Sequence, residues 1–234
     1  MSSSPFSLQR VTEADIPALT AIFSAAFAKD TNTQLKLVGK DPNSQADGMG
    51  IGIRQWLKYS DKIDILKAVD DSTGEIMGWT AWGRRGYDNP PAQATTETLK
   101  QPEVEEAEKY IEDPVERLEA LTSSDMDRWI KKIMPPGTKC RYLCSCLVHP
   151  SYQGQGVGSA LLRWGTKKAD EDGVFCWVHS SEGGQFIYQK EGFEEIERLE
   201  VDLDEFAEVK REGVEDGKWG KYVFRYMVRQ PRRS

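Results

Sequence analysis

Apolar residues recur along this chain in two spacings. Ile16, Leu19, Ile22, Phe23 and Ala26 stand three and four apart, which predicts an amphipathic helix opening at Thr12-Glu13-Ala14-Asp15 with Thr12 as its N-cap. Compact apolar runs predict strands at Phe6–Val11, Asp64–Val69, Glu75–Trp82, Arg141–His149, Val174–Val178, Glu195–Leu203 and Lys221–Val228. Asp70-Asp71-Ser72-Thr73-Gly74 has the composition of a hairpin turn between the second and third of them. Ser159–Asp170 predicts another amphipathic helix, and Gly184–Glu191 a short one stopped at Gly192.

Between these elements the pattern weakens. Gly48, Gly50 and Gly52 suggest a mobile loop within Thr31–Ser60, with a short helix at Ile53–Tyr59. Ala94–Met134 is charged and rich in helix formers, and predicts a helical insertion of two helices parted near Asp113-Pro114. Asp204–Gly220 predicts a helix and turn, and Arg229–Ser234 a frayed basic tail. The expectation is one α/β domain over residues 1–234, with no internal repeat.

Charge narrows the function classes. Thirty-eight acidic against 31 basic residues give a formal net charge of -7, which disfavours a partner held by phosphate neutralisation, so no nucleic acid is expected. No apolar run reaches the roughly 20 residues that span a bilayer, and Met1-Ser2-Ser3-Ser4-Pro5 lacks the apolar core of a signal peptide, so neither membrane association nor export is expected. An intracellular, cytoplasmic setting follows, with Cys140, Cys144, Cys146 and Cys176 as reduced thiols. Cys144 and Cys146, two apart on a strand, are expected to share a face. That spacing departs from the tight turn that zinc ligands favour, so no metal is expected.

The chemistry concentrates at one strand, turn and helix. Gly154, Gly156 and Gly158 stand at alternate positions after the run ending at His149 and just before Ser159-Ala160-Leu161-Leu162. A helix N-terminus offers unpaired N–H groups and a partial positive charge, and glycines let a phosphate approach the backbone. The Gly-Lys-Ser/Thr ending of the Walker loop and the Gly-x-Gly-x-x-Gly spacing of the dinucleotide loop are both absent here.

Gln153-Gly154-Gln155-Gly156-Val157-Gly158, followed by Tyr188-Gln189-Lys190-Glu191-Gly192-Phe193, resembles the paired signatures of the GCN5-related N-acetyltransferase (GNAT) superfamily. Ser180-Ser181, Gly184, Trp164-Gly165 and Ala169-Asp170 look further like a fungal branch of small-molecule-type members. The matched block runs from about Arg141 to Phe193. The resemblance implies a mixed, mostly antiparallel twisted sheet of six or seven strands, split at its centre and flanked by helices. It also implies acetyl transfer from acetyl-coenzyme A directly to a primary amine, of a small molecule first and of a peptide or protein second. A non-catalytic acyl-coenzyme A-binding protein is the rival outside enzymes.

Carried over by residue, the resemblance implies that Gln153, Gly154, Gln155, Gly156, Val157, Gly158 and Ser159 bind the pyrophosphate. Leu147 and Val148 would pair their backbone with the pantetheine arm beside a bulge, and Tyr188 would protonate the departing thiolate. No carboxylate or histidine stands on Tyr142–Cys146, where relatives often carry a base, and His179 on the next strand is the candidate. His149 is expected to cap structure. Trp56, Tyr59, Trp79, Trp82, Tyr87 and Trp129 are candidates for an aromatic acceptor pocket, with core packing as their other reading.

Overall fold

The computed structural model describes residues 5–87 and 111–232. Seven strands form one sheet: β1 (Phe6–Arg10), β2 (Ile63–Asp70), β3 (Ile76–Arg85), β4 (Cys140–Val148), β5 (Cys176–Ser180), β6 (Glu194–Asp202) and β7 (Lys221–Arg229). Their order is β1-β2-β3-β4-β5-β7-β6, and every neighbouring pair is antiparallel except β4 with β5. The sheet is thus mixed, mostly antiparallel and flanked by helices, as the sequence leads one to expect.

Side-chain alternation gives the central strands a core on each face. On one face lie α1 (Ile16–Phe27), which packs on β3 and β4 around the fully buried Trp79, and α3 (Ser44–Lys58), which packs on α1 and β2. The other face receives α5 (Val157–Asp172), whose Leu161 and Leu162 are completely buried. Leu143 and Val178 belong to the α5 core, whereas their neighbours Tyr142 and Trp177 pack with Trp129 of α4 (Pro114–Ile133). The helix α4 therefore covers β5 and β7 on the side where α1 covers β3 and β4. Between α1 and α4 runs the short α2 (Thr31–Lys36), and α6 (Gln185–Lys190) follows β5.

Three segments differ from expectation for identifiable reasons. Residues 44–58 form one helix despite Gly48, Gly50 and Gly52, because packing on α1 supplies what helix propensity lacks. A Cβ at Gly50 would stand 3.3 Å from Thr20 Cγ2 and 3.6 Å from Ile16 Cγ2, so this glycine sets how closely the two helices approach. The expected insertion contributes one helix, capped by Asp113 with Pro114 in the first turn; its earlier half, 94–110, lies outside the described residues. Between β6 and β7 the helical part is a single 3-10 turn, Leu203–Phe206.

The C-terminal tail is tied down rather than frayed as far as Arg232. Asp170 accepts from both Arg229 guanidinium nitrogens at 2.8 Å and from the Arg232 backbone N–H at 2.7 Å. Arg229 is 4% exposed, so its charge is met inside the protein and holds the Asp170 carboxyl below its usual range.

Candidate active site

Strand β4 leaves its partner part-way along. It pairs with β5 only at Arg141↔Cys176, Tyr142↔Trp177 and Leu143↔Val178, after which the two strands diverge. The register against β3 slips at the same height, with Ala81 opposite Ser145 and Trp82 opposite Leu143, so Cys144 is an extra residue in β4. Such a bulge bends its strand. The Thr80 hydroxyl donates to the Ser145 carbonyl at 2.9 Å, within the irregular stretch.

The bulge also resets which face each side chain meets. Cys144 packs in the α1 core with Leu147, while Cys146 packs against the α5 core with Val148. The two thiols therefore do not share a face, contrary to simple alternation. Burial pushes each of them up to about 12. The cysteines are all free thiols, and among the described residues no three His, Cys, Asp or Glu side chains gather at metal-binding distance.

Beyond the bulge, peptide groups alternate between β3 and the open side. His149 donates its N–H to Met77 O at 2.9 Å, so Leu147 also turns its peptide group to β3, and those of Cys146 and Val148 face the gap. Of the two residues expected at this edge, Val148 presents its backbone there. Leu147 does not, and Cys146 takes its place.

The glycine turn closes one end of the gap. His149 Nδ1 accepts from the Ser151 N–H at 3.3 Å, which caps the 3-10 turn Pro150–Tyr152. Gln153 Nε2 donates to Val148 O at 3.2 Å and Gln155 Nε2 to Ser151 O at 3.0 Å, so both glutamines brace the loop. Gly154 and Gly156 have φ of 76° and 84°, in the left-handed region, and a Cβ on either would meet nothing within 4 Å. Both glycines line the cleft, with open space where a Cβ would stand. Gly158 has another reason: a Cβ there would stand 2.9 Å from Ile187 Cδ1, where α5 packs on α6. Helix α5 has no side-chain cap, and its first hydrogen bond to Gly156 O comes from Ala160. The N–H groups of Val157, Gly158 and Ser159 are left without intrahelical acceptors.

Turn, gap and split strands form one cleft of about 1200 Å³. Tyr188 and His179 both line it. Tyr188 is 7% exposed, its ring 5.8 Å from that of Phe193, and burial raises its phenol well above the usual tyrosine value. Room for the ring comes from Gly184, where a Cβ would lie 2.7 Å from Tyr188 Cε2. His179 is stacked on Tyr226 at 4.7 Å and Phe224 at 5.3 Å. Its Nε2 is buried without a hydrogen-bond partner among the described residues, and burial lowers its pKa to about 4. The imidazole is neutral near pH 7.

The remaining wall comes from segments without sequence motifs. Phe27, Asn32 and Lys36 enter from α1 and α2, Glu119 from α4, and Tyr222 and Phe224 from β7. None of the six aromatic residues named from sequence lines the cleft. Trp79 and Trp82 are core, and Tyr87 donates to Asp172 at 2.6 Å in a cluster that also holds the buried Arg141. Local sequence gives no sign that the β7 pair will face α2, because that meeting depends on strand order.

Residues 129–195 match the family described as acetyltransferase (GNAT) domain, a stretch that contains β4, the glycine turn, β5 and Tyr188. The chain carries a GNAT acetyltransferase domain. A curated protein named acetyltransferase, from Stachybotrys chartarum, is 42% identical over 55 residues. That match spans 24% of this chain and 24% of the relative. The GNAT fold is shared over nearly the whole length with arylalkylamine N-acetyltransferase 2 from Aedes aegypti, at TM-score 0.63 and 13% identity, covering 97% of this chain and 99% of that one. Mosquito arylalkylamine N-acetyltransferase like 5b superposes at TM-score 0.59 and 15% identity, covering 96% and 99%. A histone acetyltransferase HPA2-related protein from Corynebacterium glutamicum does so at 0.53 and 18%, covering 98% of each. Among the described residues no helix is long and apolar enough to cross a membrane.

Proposed function

We propose that this protein transfers the acetyl group of acetyl-coenzyme A directly to a primary amine of a small molecule. The observation that carries this reading is that one cleft joins an open glycine turn, an unpaired strand edge and a buried phenol. The turn fits a pyrophosphate, because Gly154 and Gly156 line the cleft without side chains and α5 offers N–H groups without intrahelical acceptors. Cys146 and Val148 offer their peptide groups to an extended amide-bearing arm, as an added strand would use them. The Val148 carbonyl is already taken by Gln153, which leaves the Val148 N–H and both Cys146 groups.

In the reaction the amine nitrogen forms a bond to the thioester carbon, and the carbon–sulfur bond breaks. On the way to the amide an alkylammonium loses two protons, one before attack and one after the bond to carbon has formed, and the departing thiolate gains one. In this reading Tyr188, whose ring lines the cleft, supplies the thiolate's proton; burial keeps its phenol protonated throughout the physiological range while making it a weaker acid. His179 is neutral and accepts a hydrogen bond from the amine. With its pKa near 4 against about 10 for an alkylammonium, full proton removal from that ion by His179 lies about 8 kcal/mol uphill, so solvent takes the ammonium proton before attack. The second proton leaves the cationic nitrogen of the adduct to solvent once the bond has formed.

Acceptance of a small amine over a protein segment is supported by the enclosing wall of α2, α4 and β7. The test is thiol release from acetyl-coenzyme A across a panel of small amines and lysine peptides. Rapid release with small amines is expected. Release only with peptides would favour an open groove, and tight coenzyme binding without release would make the protein a binder.

A further inference from the structure

The acceptor half of the cleft contains acids that are already occupied and a cation that is not. Asp30 accepts from the Thr33 N–H at 2.8 Å and from the Tyr222 hydroxyl at 2.7 Å. Glu182 accepts from the Val223 N–H at 3.0 Å, and Glu119 stands 3.8 Å from Lys40 Nζ. Lys36, half-buried in the last turn of α2, lines the same wall and makes no hydrogen bond or ion pair among the described residues. Burial lowers its pKa, outweighing the attraction of Glu119 and Asp30, and its charge is felt at His179.

A second group points to the same ligand. Asn32 is 8% exposed, and its Oδ1 is buried with no hydrogen-bond partner among the described residues, a state that is unfavourable unless something fills it. Asn32 and Lys36 are four apart on α2, so they share one face of that helix, and both line the cleft. The pair offers one hydrogen-bond acceptor and one cation side by side. Lys29 and Lys190 line the same cleft, but Lys36 is the lysine that shares a helix face with Asn32, and the nearby charges of Asp30 and Glu119 would repel a phosphate dianion more than a single carboxylate.

We propose that the acceptor is an amino acid-like zwitterion, its carboxylate bound by Lys36 and its amino group donating to Asn32 as it enters the split between β4 and β5. This rests on the acetyl-transfer reading above and adds the acceptor's class to it. An amine of the same shape without the carboxylate would leave Lys36 unmatched in the complex and would be the poorer substrate.

The experiment pairs L-amino acids with the amines that lack their carboxylates, phenylalanine with phenethylamine for example, and measures kcat/KM from thiol release. The native protein should prefer the zwitterion, and Lys36→Met should lower that preference by about tenfold to a hundredfold, chiefly through KM. Lys58→Met, at the exposed C-terminal end of α3 and away from the cleft, should keep the native preference. Lys36→Gln serves if the methionine variant is unstable, and the preference of the native protein is informative by itself. A native preference for the carboxylate-free member across the panel overturns the proposal and leaves acetyl transfer standing, as does an unchanged preference in folded Lys36→Met. Absence of thiol release with every amine removes the acetyl-transfer reading and this proposal with it.

Discussion

Replacing Tyr188 by phenylalanine removes one oxygen from the wall of the cleft and leaves the packing almost intact. The ring touches Phe193 and sits over the space left by Gly184, contacts that phenylalanine keeps. Stability should change by less than about 1 kcal/mol, since the loss is one hydroxyl with the ring retained. The chemical step should slow by about 10²–10⁴-fold, the usual contribution of a positioned general acid, equivalent to about 3–5 kcal/mol. Coenzyme binding should weaken much less, because the hydroxyl acts as the thiolate leaves and not before. Single-turnover rates at saturating amine are the proper measurement, since slow product release would hide the defect at steady state. In the native protein the rate should show no alkaline fall from Tyr188 up to about pH 10, as burial holds its phenol above the ordinary tyrosine value. A stable Tyr188→Phe protein with native single-turnover rates would refute the assignment and leave solvent to protonate the sulfur.

Gly156→Glu should abolish acetyl-coenzyme A binding in calorimetry, because it forces a side chain into left-handed backbone at φ 84° and sets a carboxylate beside an anion. Gly165→Ala should destabilise the fold by about 1–3 kcal/mol in urea denaturation: the new Cβ would fall 2.0 Å from the ring of fully buried Trp82, which outweighs the gain of about 1 kcal/mol in helix propensity. Native stability in that variant would mean that α5 shifts away from β3 at little cost. The lowered pKa of Asp170, held down first by its Arg229 hydrogen bonds against opposing burial, implies a contribution fully present above the unfolded value near 4 and lost as pH falls through the folded one. Asp170→Asn should cost about 2–3 kcal/mol at pH 7, a value reduced for the partial exposure of the carboxylate, and should flatten the acid limb of stability against pH.

What could be read from the sequence was whatever is encoded locally. The strands announced themselves as apolar runs, and the turn at Gly154–Gly158 as a spacing with a physical purpose. Features decided by distant partners were hidden. Three glycines argued against a helix at residues 44–58, and only the approach of α1 reverses that. The parity of Cys144 and Cys146 depends on one extra residue opposite β3, which no property of the two cysteines reveals. Arg229 read as part of a basic tail until Asp170, 59 positions earlier, was found beside it. The acceptor wall was least legible, because Lys36, Glu119 and Tyr222 meet only through the order of the strands.

Three residue pairs join β4 to β5, and beyond them two raw strand edges face each other across the cleft. Exposed edges ordinarily invite pairing with another sheet, and proteins blunt them with charge, proline or a covering helix. Here concavity does that work. A second sheet is too broad to enter a wedge between two diverging strands, whereas a single extended molecule is narrow enough to lie against Cys146 and Val148. The same break that leaves peptide groups unsatisfied also filters what can satisfy them, so the interrupted sheet stays open to a thin guest and closed to aggregation along its middle.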